Sequence, residues 1–488
     1  MTNLNRKDFI RKLAVIVAGA SVLPAALVGY PAKATAVSGD EASTPPALRI
    51  DDLGIIDLHC HPSLKMYLWN KHFWKKYNPK SGTNPFPLQD TVDELSSGYV
   101  KGFLVAHYLV EAALESESAV LKNLFPFIRR LFPGLAAKVE HEDSSNFTQI
   151  NIMIDTMESQ VHQANKEQGR VRFVIARDFS EFEQAIKDGN IPIAHAIEGA
   201  HALGRNFPLT HKRRVPLDNE HVENIDEKTN RYIRNLEALK WRGVCLLTLG
   251  HIFVNDIAHP TEGISPDEKH AIKMDWQYLP MRDDLPLTGI GVAVVEKMLD
   301  IGMIVDLTHS TPAARQDVFR INANRKKVGK ALRPLTFTHT GSQTLFEQYD
   351  ARYNNGRYEN FKYYDASDQE IDQICDCSGV IGVIPENFWL VACDTKLDKH
   401  YARLFRDGIP YIVETILCIN SKTRSKDFDN ISIGTDFDGF ADAPRDLYKP
   451  SQLGALIQAL RDAKITEKQI RKITNLNALR LLREGWGS

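Results

Sequence analysis

Two histidines one residue apart close an apolar run near the start of the chain, Ile55-Ile56-Asp57-Leu58-His59-Cys60-His61. Alternate residues of an extended strand share a face, so His59 and His61 point one way and Cys60 the other. Later apolar runs end in the same class of residue. Ile193–Ile197 leads into Glu198, Leu246–Gly250 into His251 and Ile304–Thr308 into His309, while Leu335–Thr338 leads into His339 and Ile431–Thr435 into Asp436. A lone buried histidine is usually an ordinary core residue, but a whole set of run ends carrying imidazole or carboxylate is a metal-donor pattern. Without thiolate, such donors suit zinc or a similar divalent ion. One catalytic zinc needs about three protein ligands and an open position. His59, His61, Glu198, His309, His339 and Asp436 exceed that, and are enough for two ions sharing a carboxylate. Two ions roughly 3.5–4 Å apart can lower the pKa of a bridging water and polarise a carbonyl together. His195 and His201 flank Glu198 off the run-end pattern, and read as surface or supporting residues.

The elements that must position these residues follow from the same runs. Ile55–Leu58, Tyr99–Val105, Ile191–Ile197, Val244–Leu249, Met303–Leu307, Leu335–Thr338, Val380–Ile384 and Ile431–Gly434 read as strands. Segments of helical period, such as Asp178–Lys187, Asn230–Lys240, Gly291–Ile301 and Gln369–Cys375, alternate with them. Near-continuous apolar strands between amphipathic helices indicate a parallel sheet covered by helices. Eight such units in series predict a (β/α)8 TIM barrel, in which all the donor-bearing strand ends meet at one mouth. A long helical insertion, with Tyr108–Leu131 and Gln149–Gln168 as helices, separates strands 2 and 3. No GxGxxG or GxxxxGK[ST] follows any strand, which removes the main support for a nucleotide-binding α/β fold.

Bulk properties narrow the class further. The 488 residues are 43% hydrophobic and 25% charged, as in a globular protein. A formal net charge of −2 speaks against nucleic acid as a partner. Arg6, Lys7, Arg11 and Lys12 precede the apolar run Leu13–Val28 and an Ala32-Lys33-Ala34 site, the form of a cleavable export signal. The expected layout is therefore an export signal over 1–34, a linker over 35–46 and a single barrel domain over 47–488. Such a protein is expected in the periplasm or outside the cell. Cysteines 60, 245, 375, 377, 393 and 418 are too sparse for a disulfide scaffold.

The motifs resemble those of the membrane dipeptidase (renal dipeptidase-like) family of zinc peptidases, a branch of the amidohydrolase-type barrels. Ala196-Ile197-Glu198-Gly199 resembles its Ile-Glu-Gly segment, and Thr248-Leu249-Gly250-His251 its Thr-Leu-x-His segment. Leu287-Thr288-Gly289-Ile290-Gly291 with Asp306-Leu307-Thr308-His309 matches its Leu-Thr-x-x-Gly…Asp-Leu-Ser-His pattern. Phe337-Thr338-His339-Thr340, Ile433–Gly439 and Asn475–Arg480 are similar to its later segments, and the likeness runs from about Ile55 to the C-terminus.

The resemblance implies a dipeptidase with two zinc ions, one held by His59, His61 and Glu198 and the other by Glu198, His309 and His339. It implies Asp436 as the proton shuttle and His251 as the group that stabilises the oxyanion; Asp306 and Asp438 read as orienting ligands, Asp438 equally as a turn residue before Gly439. Two departures stand out. The family has His-x-Asp where this chain has His59-Cys60-His61, so one negative charge is lost and the choice of ion is left open. The family also places an arginine after the sixth-strand histidine to meet the dipeptide carboxylate. Here Asp350–Asp368 is longer and aromatic, with Arg352 and Arg357 as its only arginines and Arg352 as the candidate, and Asn255 beyond His251 as a second substrate contact. The expected partner is a dipeptide-like small molecule, with a homodimer as the expected assembly. The alternatives are an amidohydrolase acting on a lactone or other small amide, and a non-catalytic metal-binding barrel.

Overall fold

A computed structural model describes residues 53–79, 87–97, 99–111, 130, 134, 138, 145–167, 172–204, 224–264, 284–392, 407–439 and 442–487. The expected export signal and linker, most of the helix read over Tyr108–Leu131, and Cys393 lie outside the described residues. The five cysteines within them are all free.

Among the described residues nine parallel strands form one sheet: β1 (Ile55–Cys60), β2 (Val100–Tyr108), β3 (Phe173–Ala176), β4 (Ile191–Glu198), β5 (Val244–Thr248), β6 (Ile304–Asp306), β7 (Thr336–Thr340), β8 (Val380–Val383) and β9 (Ile431–Ile433). The order β2-β1-β9-β8-β7-β6-β5-β4 closes on itself through pairing of β2 with β4, giving the eight-stranded barrel the sequence predicts. These eight strands overlap the eight apolar runs.

The ninth strand, β3, is the addition. It pairs with Ile191–Ala194 of β4, and β5 takes over from His195 to Glu198. Since β2 occupies the other edge of β4 from Ile193 onward, β3 and β5 share one edge in succession. A four-residue Phe-Val-Ile-Ala run is too short to stand out from its helical surroundings. The insertion between β2 and β4 thus contains the helix Asn146–Glu167, this strand and the helix Phe179–Lys187.

The strands of the closed barrel are buried on both faces along almost all their length. Ala194, Ala196, Leu246 and Ile304 share strand faces with Glu198, Thr248 and Asp306, and at the N-terminal end they pack with Leu481, Leu482 and Trp486 at the C-terminus of the chain. The barrel floor is therefore apolar and plugged, while the same faces turn polar toward the mouth. Helices start where the sequence provides for it. Thr311 caps the helix Pro312–Lys327, with Pro312 in its first turn, and Thr288 caps Gly289–Ile301. Each cap fixes where the preceding loop leaves the mouth.

Candidate metal centre

Glu198, the last residue of β4, lies at the centre of the mouth and is buried. Five imidazoles point their Nε2 atoms at its carboxylate. His59 and His309 stand 3.2 and 3.3 Å from Oε1, and His339 stands 3.5 Å from it. His61 and His251 each stand 3.3 Å from Oε2. The imidazoles also pair among themselves, with Nε2 atoms 2.9 Å apart for His59 and His61 and 3.1 Å for His309 and His339. Asp436 Oδ1 completes the group, 3.0 Å from His61 Nε2.

The elements bring these groups together from six strands. His59 is on β1 with His61 just past it, and His339 lies within β7. His251, His309 and Asp436 each follow their strand by three residues. His309 (φ 64°) and Asp436 (φ 53°) adopt the left-handed backbone that non-glycine residues seldom take, which is a local strain of the kind found at functional sites. Gly439 leaves the room Asp436 needs, because a Cβ there would collide with Asp436 Oδ1 and the edge of the His61 ring.

The donor chemistry fits divalent ions. Two buried pairs of imidazole nitrogens at hydrogen-bond distance, both aimed at one carboxylate, cannot all be satisfied by the few protons available. Cations among the Nε2 lone pairs and the Glu198 oxygens would satisfy them. Electrostatics point the same way. Burial opposes the charge on Glu198, yet the histidines around it hold its carboxyl well below the usual range. His61 is likewise opposed by burial and lifted to about 9 by Glu198 and Asp436. His339 is driven well down by burial and by His59.

Around this cluster stand residues that fix its members. Asp57 accepts hydrogen bonds from the backbone N–H of His59 and from Thr435, and burial raises its carboxyl to about 6. Asp306 receives the hydroxyls of Thr248, Thr308 and Thr338, and Thr338 Oγ1 lies within 3.0 Å of both His59 Nδ1 and His339 Nδ1. Asp306 thus reaches both rings through Thr338. Asp438 does something else. It pairs with Lys65 at 2.7 Å and accepts the backbone N–H groups of Gln89 and Asp90, so it anchors the 87–90 loop and touches no histidine of the cluster.

One residue escaped the sequence reading. Glu111, three residues past β2 and buried, accepts hydrogen bonds from Ile252 N, Phe253 N and Tyr108 Oη, and lies 3.3 Å from His251 Nδ1. Burial favours its neutral form, but His201 and His251 outweigh that and lower its pKa. His251 is raised in turn, against burial, by Glu198 and Glu111. Ending the second strand at Val105 hid this residue. The strand runs on to Tyr108, and the strand-end rule applied there leads directly to Glu111.

Three expectations need correction. Asn255 serves its own loop: its side chain donates to Leu249 O and accepts from Ile257 N and Ala258 N. Arg352 is exposed on the π-helical turn Asp350–Asn354 and lies over the ring of its neighbour Tyr353. His195 is fully buried rather than at the surface, on the outer side of the barrel wall beside His107 and Glu158. The walls near the cluster are aromatic instead. Tyr108 lies 4.3 Å from the His251 ring, and Tyr364 lies 5.1 Å from that of His309 and stacks on Trp389.

An eight-stranded parallel barrel with clustered histidine and carboxylate donors at its C-terminal mouth is the architecture of a barrel metallohydrolase. The model of the membrane dipeptidase family, Peptidase family M19, matches residues 227–485, just over half the chain, and the chain belongs to that family. Dipeptidase tcpJ of Claviceps purpurea is 24% identical over 200 residues, which span 41% of this chain but only 38% of that relative. A metallopeptidase from Rhodobacter sphaeroides, solved with a phosphinate mimic of L-Ala-D-Ala, superposes with a TM-score of 0.60 at 16% identity, covering 89% of this chain and all of the other. The probable dipeptidase PvdM of Pseudomonas aeruginosa gives 0.59 at 14% identity, covering 90% and 96%. At such identities the superpositions establish the shared fold.

Proposed function

We propose that this chain is a metal-dependent dipeptidase, exported from the cytoplasm, that uses two divalent ions. His59, His61 and Glu198 would hold one ion, and Glu198, His309 and His339 the other. The observation that carries the reading is the convergence of these imidazole Nε2 atoms on the single Glu198 carboxylate. Two ions bound there would supply a water activated at neutral pH and polarise the scissile carbonyl. Zinc is the proposed ion, because nitrogen and oxygen donors without thiolate suit it; His61 leaves the site one negative charge poorer than an aspartate would, and manganese is the ion to set against it in the test.

The chain's own residues do the rest. Asp436, whose side chain keeps 16% exposure at the edge of the cluster, takes the proton from the attacking water. The water oxygen bonds to the carbonyl carbon, the C–N bond breaks, and Asp436 returns the proton to the departing amine. His251, held at Nδ1 by Glu111, directs Nε2 toward the carbonyl oxygen as charge builds there.

A second reading, an amidohydrolase acting on a lactone or small amide, is favoured by one observation. The arginine expected to meet a dipeptide carboxylate, Arg352, is exposed and over Tyr353. The test is hydrolysis of a dipeptide panel, including L-Ala-D-Ala, by purified protein with zinc, with manganese and after chelation. Metal-dependent release of amino acids supports the dipeptidase. Stoichiometric metal binding with no cleavage of any dipeptide would transfer the site to the second reading.

A further inference from the structure

Asp306 and Thr338 stand between two histidines that belong to opposite halves of the cluster. The buried Asp306 carboxylate receives Thr248 Oγ1 at 2.6 Å and Thr338 Oγ1 at 2.7 Å on Oδ2. Oδ1 receives Thr308 Oγ1 at 2.8 Å, Thr338 N at 3.0 Å and Thr308 N at 3.1 Å. A carboxylate has about four lone-pair sites, so these five donors leave Asp306 neither a proton of its own nor a free site for an ion. Although it lies near His59 and His339, it is a buttress and not a ligand.

The consequence falls on Thr338. Its hydroxyl has one proton, and that proton is committed to Asp306. Thr338 Oγ1 also lies 3.0 Å from His59 Nδ1 and 2.9 Å from His339 Nδ1. With no proton left to give, it can only accept from both rings. An imidazole with its proton on Nδ1 presents a bare lone pair at Nε2, and here both Nε2 atoms face Glu198 Oε1. Thr338 is also fixed in place, since a Cβ at Gly382 or at Gly434 would collide with its carbonyl oxygen.

We infer that Thr338 is a positioning residue whose single hydroxyl, oriented by Asp306, locks His59 and His339 together in the Nδ1–H tautomer and so prepares one donor for each ion position. The inference deepens the two-ion reading, but the tautomers belong to the metal-free chain and are measured without any ion.

The test uses the full chain with 15N-labelled histidine, stripped of metal by chelation, with imidazole tautomers read by NMR and assigned through single-histidine substitutions. Both His59 and His339 are expected as Nδ1–H in the wild type and in Thr338→Ser, with the pattern lost in Thr338→Val. Zinc titrated into each protein is expected to bind Thr338→Val about 10–100-fold more weakly at both positions, and Thr338→Ser as the wild type does. An Nε2–H tautomer or a ring protonated at both nitrogens, at either histidine of the metal-free wild type, overturns the inference, whether or not the valine variant folds. A folded Thr338→Val that keeps both tautomers and full zinc affinity overturns it equally. Tautomers as stated in a wild type that binds no zinc would uphold the role of Thr338 and sink the two-ion reading.

Discussion

His195 and Glu198 sit three residues apart on β4 and face opposite sides of the barrel wall. Inside, Glu198 gathers five imidazoles from other strands. Outside, His195 meets His107 of β2 at 2.8 Å and Glu158 of the helix Asn146–Glu167 at 3.4 Å. Both groups set buried histidines against a glutamate and share β4, although Glu158 is only half-buried. They differ in how the rings are aimed. The inner rings turn nitrogens toward one shared carboxylate, which leaves the charge balance of a cation site. The outer rings turn toward each other, and burial pushes both down in pKa, that of His107 well down. Histidine content and burial therefore do not define a metal site; convergence on a common point does.

That contrast can be broken in four ways, taken from the largest expected effect. Asp436→Asn is expected to lower kcat by about 10²–10⁴-fold while metal content, measured by elemental analysis, stays at the wild-type level. Parallel loss of metal would make Asp436 a ligand instead. Glu111→Gln is expected to reduce kcat by about 10–100-fold with little change in KM, because it frees the ring of His251 without removing it. A KM effect alone would move Glu111 from positioning to substrate binding.

The outer pair is expected to affect stability and not turnover. His107 and His195 are held neutral in the fold, whereas unfolded imidazoles protonate near pH 6.5. Between their lowered folded pKa values and about 6.5 the unfolded chain binds more protons, so their contribution is complete above about 6.5 and is lost as pH falls. In chelated protein, the double variant His107→Phe/His195→Leu should show a smaller fall in Tm between pH 7 and pH 5 than the wild type, with zinc binding intact. An unchanged slope would remove the outer pair from the acid response. Last, Arg352→Ala should leave kcat/KM within about twofold, since the side chain is exposed over Tyr353. A large rise in KM would return this arginine to the substrate.

The sequence carried a good deal of this because barrel strands are doubly buried and end at one mouth. Apolar runs marked where His59, Glu198, His309, His339 and Asp436 had to emerge, and the closed sheet brings all of them to one place. What stayed hidden depended on side-chain direction in loops. Asn255 looked available because it is polar and follows His251, yet its amide closes its own turn. Glu111 was invisible because Ala106-His107-Tyr108 offers no glycine or proline to mark how far β2 runs. The pairing of Thr338 with two histidines from different strands, 279 residues apart in one case, has no local signature at all.

The central claim is that the inner cluster, and not the outer one, is a two-ion site. The most direct measurement is the number of zinc ions bound per chain, by calorimetric titration of the chelated protein alongside Glu198→Gln and His195→Leu. Two ions per chain are expected for the wild type and for His195→Leu, and severe loss at both positions for Glu198→Gln. A wild type that binds none, or a Glu198→Gln protein that still binds two as tightly, would contradict the account.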